Sequence, residues 1–148
     1  MQLTVGQIHN LYVGLTVLER NDKLKLTPDT RFKMAINLNV LEPVANGYER
    51  ARTRALADLY RDNRKLEDKK QRTEAEIQAD LADADAGLRA KTEEVELRML
   101  SRTDLKLDEN ETLLHATLAR LLPLVEGLEL AEPKAEPKAK PKRVGEAS

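Results

Sequence analysis

This chain is expected to fold as a mainly α protein: a helical bundle or hairpin with a long central helical arm, one short extended strand segment and a disordered C-terminal tail. Three observations lead there. Residues 44–100 consist largely of helix formers, densely charged, with apolar residues returning at helical spacing. Only 3% of the residues are aromatic against 41% hydrophobic, so a core must be built from Leu, Val, Ile and Ala, which suits packed helices better than a sheet sandwich. Residues 131–148 repeat Pro-Lys every four positions and hold Val144 as their one large apolar side chain. Such a segment cannot bury enough surface to fold and favours polyproline II. The expected division is therefore a single helical domain over residues 1–130 and a Pro/Lys/Ala tail over 131–148.

The first helix starts at a capping box, in which the Thr4 hydroxyl accepts from the Gln7 amide and Gln7 reaches back. Val5, Ile8, Leu11, Tyr12, Leu15 and Leu18 follow on one face. Asn21-Asp22 and Lys23-Leu24-Lys25-Leu26 end it in a turn and a short extended link. Thr27-Pro28 opens the second helix, threonine as N-cap and proline at the first helical position, where its missing N–H costs nothing. Phe32, Ala35, Ile36, Leu38 and Leu41 are its expected buried side, and Pro43 is expected to stop or bend it at Glu42.

A third segment carries the stripe Val44, Tyr48, Ala51, Ala55, Leu56 and Leu59. Between Arg61 and Glu76 only Leu66 remains among charges of alternating sign, which read as a solvated helix surface or hairpin tip. Apolar spacing resumes at Ile77, Leu81, Ala84, Leu88 and Val95, a coiled-coil-like heptad seam with Lys91 at the skipped position. One long helix or a hairpin opened at Asp62-Asn63 both fit; the hairpin is favoured because it buries the two stripes against each other. The strict alternation of residues 94–99 reads as a half-exposed strand, with extended chain expected over 96–107. Asp108 to Glu111 reads as another helix start, with Leu114, Leu118, Leu121 and Val125 as the face and Pro123 ending or kinking it.

The function classes narrow quickly. With no cysteine, disulfides, thiolate catalysis and cysteine-based metal sites are excluded. A net charge of −1 argues against electrostatic nucleic-acid binding by the whole protein. The tail, with five basic and three acidic residues and no aromatic, offers at most weak, salt-sensitive phosphate contact. The N-terminus lacks the basic region of a secretion signal, and no apolar window is long enough for a bilayer, so a soluble intracellular protein is expected. His9 and His115 lie on separate helices without further ligands at metal spacing and read as surface or boundary histidines. Asp83, Asp85 and Glu94 have offsets resembling a calcium loop, but Gly87 comes one position early and the segment reads as helix. Ser101 has no base nearby in sequence.

The segments Leu3-Thr4-Val5-Gly6-Gln7-Ile8 with Leu11-Tyr12, Phe32-Lys33-Met34-Ala35 with Leu41-Glu42-Pro43, and Tyr48-Glu49-Arg50-Ala51-Arg52 occur in that order. Glu94-Val95-Glu96-Leu97, Asp104-Leu105 and the Leu118 to Val125 helix around Pro123 complete a pattern reaching about Glu129. The chain thereby resembles a family of small, mainly helical tailed-phage proteins of unknown function. It departs from that family at Tyr60-Arg61-Asp62-Asn63-Arg64, which replaces a glycine-containing turn, and in its additional tail. The resemblance implies no enzyme, no cofactor and no catalytic residues. The expectation is a phage-encoded accessory protein acting through contacts with a phage structural or host protein, in virion or tail assembly. It would reside in the host cytoplasm, with association with the virion and self-association both open. The alternative is a host-directed binder that inhibits a host enzyme or defence system, and a nucleic-acid accessory role ranks third. Ile77, Leu81, Ala84, Leu88 and Val95 are the candidate partner-binding residues.

Overall fold

A computed structural model of the chain describes residues 1–110 and 115–126. In order, these form β1 (Gln2–Thr4), α1 (Val5–Arg20), α2 (Pro28–Arg64), α3 (Glu74–Ala90), β2 (Thr92–Glu94), α4 (Arg102–Leu105) and α5 (His115–Arg120). Helices dominate, α2 is the long central arm, and β1 and β2 make one small antiparallel sheet.

α1 begins as its sequence predicts, with both halves of the Thr4–Gln7 capping box formed. Its buried row, Ile8, Leu11, Leu15 and Leu18, is the centre of the core. Each fully buried leucine contributes about 1.5–3 kcal/mol over an exposed one. Past its middle, α1 passes so close to the end of α5 that a Cβ at Gly14 would sit 3.2 Å from Arg120 and 3.1 Å from Leu121. A side chain there would force Leu121 and Arg120 to give way by a few tenths of an ångström.

α2 starts at the expected Thr27 cap with Pro28 in the first turn, but it does not stop at Pro43. It runs 37 residues, through the proline, to Arg64. Pro43 removes one helical hydrogen bond, a cost of about 3 kcal/mol, but the proline lies on the exposed side. Leu41, Ala45 and Tyr48 continue the buried row past it, so packing outweighs the lost bond. The buried row is also not the expected one. It runs Thr30, Met34, Asn37, Leu41, Ala45 and Tyr48, while Phe32 points outward, 57% exposed. Two polar residues in the true row disguised it.

Two buried asparagines, one in this row and one near the end of the chain's first described stretch, are anchors. Buried Asn37 bonds the backbone of Arg98, and buried Asn110 accepts from the Lys25 N–H at 2.7 Å while donating to the Lys25 and Leu105 carbonyls. The backbone groups of Arg98 and Lys25, in irregular chain, are thus satisfied without a sheet ladder.

The extended segment is shorter and earlier than its alternation suggested. Thr92–Glu94 pairs with Gln2–Thr4, in the register Gln2 to Glu94 and Thr4 to Thr92. Residues 102–105 are helical, because Ser101 and Asp104 form a capping box. Lys106 closes α4 in the left-handed region at φ 47°. Farther on, Leu100 bridges Val125 in parallel, and Pro123 sits in a single tight turn that follows the end of α5. Asp108 lies in a turn, whereas Glu111, Leu114 and the tail fall outside the described residues.

Candidate functional site

Beyond Tyr48, α2 leaves the core and is backed by α3, which returns antiparallel to it. The side chains set the register. Near the base, the Tyr48 hydroxyl donates to Asp85, and Arg52 Nε lies 3.5 Å from the same carboxylate. Toward the tip, the Tyr60 hydroxyl donates to Glu74, which raises the Tyr60 pKa above its ordinary value. At the tip, Asn63 accepts from the Arg72 N–H at 2.7 Å, and Arg72 pairs with Asp80. The turn-back therefore spans residues 65–73 and not Asp62-Asn63, where α2 is still helical. α3 restarts at a second capping box. There the Thr73 backbone N–H and hydroxyl engage Glu76 and hold its carboxyl below the usual carboxylate range.

The heptad seam does not lie on one helix. Ile77 and Leu81 are 2% and 3% exposed, turned into the arm; Ala84 is exposed and Leu88 half-buried. Val95 belongs to the main core, beyond the end of α3 and beyond β2. Lys91 breaks the helix because its carbonyl accepts from the Val5 N–H at 2.7 Å, and the Val95 N–H donates to the Met1 carbonyl at 2.9 Å. Chain pairing at β1 overrides the helical period there. Ile77, Leu81 and Val95 thus supply internal packing, Leu88 is half-buried and Ala84 exposed, and no continuous exposed seam joins the five.

The base of the arm is a polar junction that sequence reading did not find. The Arg89 guanidinium donates to the Gly6 carbonyl, Asn10 Oδ1 and the Tyr48 hydroxyl, each at 3.3 Å, and lies 5.5 Å from the Tyr48 ring centre. Gly6 makes room, since a Cβ there would meet the Arg89 side chain at 3.1 Å. His9 packs 4.8 Å from the Tyr48 ring and lies 3.1 Å from the Glu49 carboxylate. Its partners come from a helix 40 residues away, beyond the reach of spacing rules. Arg89 and Tyr48 join all three long helices.

The other weighed residues are dispersed. Asp85 serves Tyr48 and Arg52, Glu94 pairs with the N-terminal amino group, and Asp83 is exposed. Ser101 is the cap of α4 and His115 is exposed on α5. Among the described residues no three His, Cys, Asp or Glu lie close enough to hold a metal ion. Also among them, no helix is long and apolar enough to cross a membrane.

What the arm does present is charge of two signs. Residues 49–65 hold six basic and three acidic side chains, while 74–90 hold five acidic and one basic. One flank of the arm is basic and the other acidic. No family model, curated protein or solved structure matches the chain.

Proposed function

We propose that this chain is a non-enzymatic, phage-encoded accessory protein that works through protein contacts during virion or tail assembly. The arm carries the reading. It extends the two helices past the core with their apolar stripe closed between them, so its outer faces are free for a partner. Its opposed flanks of basic and acidic charge suit a protein surface that also displays both signs, and give orientation as well as attraction. The resemblance to small tailed-phage proteins supports the phage setting.

The experiment is a phage lacking this gene, complemented in trans by the wild type or by Arg54→Glu combined with Asp83→Lys. Both positions are exposed, one on each flank. The assembly reading expects normal genome replication, loss of complete particles with the double variant, and the wild-type protein in purified virions or assembly intermediates. Normal particle yield on every host overturns it. A defect confined to hosts with a particular defence system would instead favour the host-directed alternative.

A further inference from the structure

We propose that two copies of this chain associate through the outer face of α2, antiparallel about a two-fold axis level with residues 39 and 40. Phe32 of each copy then enters the cleft beside Gly47 of the other, and Asp29 of each pairs with Arg50 of the other. The association uses this face and the cleft at its edge, and is independent of the phage reading.

The face is defined by helical geometry. At about 100° per residue, Asp29, Phe32, Ile36, Pro43, Gly47 and Arg50 fall within one arc of roughly 60°, on the side of α2 away from its buried row. All are exposed except the half-buried Ile36. Their positions are also symmetric along the helix. Asp29 and Arg50, Phe32 and Gly47, and Ile36 and Pro43 each lie equally far from the point between residues 39 and 40. An antiparallel copy therefore brings each member of a pair level with its counterpart across the shared arc. A two-fold contact requires this self-complementarity.

The paired groups match in shape and charge. Phe32 is the chain's single phenylalanine and, at 57%, the most exposed of its large apolar side chains among the described residues. The Arg98 guanidinium, 5.6 Å from the ring centre, covers part of it and leaves the rest to solvent. Level with it is a cleft of about 290 Å³ whose lining includes Val5, Val44, Gly47, Tyr48, Ala51 and Leu88. Gly47 is exposed and a Cβ there would meet nothing within 4 Å, so the space beside it is open to a ring. Asp29 and Arg50 are exposed, and neither makes an ion pair among the described residues. With a rise of about 1.5 Å per residue, Phe32 and Gly47 each lie about 11 Å from the axis. A shallow crossing of about 20° keeps both ends in contact. The two arms then point in opposite directions, with only their bases at the contact.

The test is sedimentation equilibrium of the full chain over a concentration series from micromolar to millimolar, with circular dichroism of every variant as a fold control. The wild type is expected to be a reversible dimer of micromolar dissociation constant, since one helix face buries a modest area. Asp29→Arg and Arg50→Asp should each weaken it about tenfold or more by placing like charges opposite. The two together should restore it. Phe32→Ser should also weaken it while leaving the monomer folded, because the ring is outside the core. The chain has no cysteine, so Asn39→Cys should form a disulfide-linked dimer on mild oxidation, and Asp83→Cys on the arm should not. A wild type that stays monomeric throughout overturns the proposal. So does a dimer unaffected by the single reversals, or one that they weaken and the double reversal does not rescue.

Discussion

The side-chain amide of Asn37 clamps the backbone of Arg98 from both sides. Its Nδ2 donates to the Arg98 carbonyl at 2.9 Å, and its Oδ1 accepts from the Arg98 N–H at 2.7 Å. The amide is fully buried midway along the core-facing part of α2. It ties the irregular segment after β2 to the longest helix, and it does so with a residue that a hydrophobic pattern treats as solvent-facing.

Asn37→Leu should therefore destabilise the fold by about 2–4 kcal/mol. Both part-buried Arg98 backbone groups would lose their partner, each at the lower part of the about 1–3 kcal/mol that a fully buried unsatisfied group costs. Urea unfolding measures it. A loss below about 0.5 kcal/mol would mean that water reaches Arg98 and the clamp is dispensable.

Asp104 gives an acid-sensitive contribution. Its carboxylate accepts from the Ser101 N–H at 2.9 Å, the main cause of a pKa held below the ordinary aspartate value, with Lys33 at 3.0 Å adding to it. A carboxyl whose pKa is lowered by folding stabilises at pH above its unfolded value, and that stability fades as pH falls through the folded value. Asp104→Asn should cost on the order of 1 kcal/mol at neutral pH by weakening the cap. The variant and wild-type stabilities should converge in acid below the aspartate range. Parallel curves across the whole range would rule out the linkage.

Leu81 tests the closed arm. Leu81→Ala should cost about 2–5 kcal/mol in dilute solution, where no partner can contribute. Spin labels at Asp58 and Asp80 should lie well inside the roughly 33 Å that a continuous helix would impose. A separation of that size, with little change in stability, would mean the arm opens in solution.

Two glycines in helix interiors should respond oppositely. Gly87 has nothing within 4 Å of an added Cβ, so Gly87→Ala should stabilise by about 0.5–1 kcal/mol through helix propensity alone. Gly14 faces Leu121 at 3.1 Å, and Gly14→Val should destabilise by about 1–3 kcal/mol through overpacking. Thermal melts of the two variants that moved in the same direction would contradict the close approach of α1 to the C-terminal helix.

Much of the helical plan was legible because its signals are local. The Thr4–Gln7 box and the Thr27-Pro28 start involve residues three or fewer apart, and both formed as read. The arm was legible as a hairpin because two apolar stripes flank a charged gap. Its turn was misplaced by several residues, since Asn63 takes the Arg72 N–H nine residues on and so acts as a brace and not a turn. The candidate site was less legible. The Arg89–Tyr48–Gly6 junction joins residues 41 and 83 apart, and no periodicity encodes such a meeting.

By itself the sequence determined that α1 and the start of α2 are helical, that Thr4 and Thr27 cap them, and that the core is aliphatic. Capping, propensity and spacing act within a turn or two of the chain. Tertiary structure alone decided that α2 passes through Pro43, that Asn37 and Thr30 face inward while Phe32 faces out, and that the heptad seam ends at Lys91. In each case a long-range contact outweighs a local preference. Packing of Leu41, Ala45 and Tyr48 outweighs one missing hydrogen bond, and backbone pairing with the Met1–Val5 segment outweighs one more turn of helix.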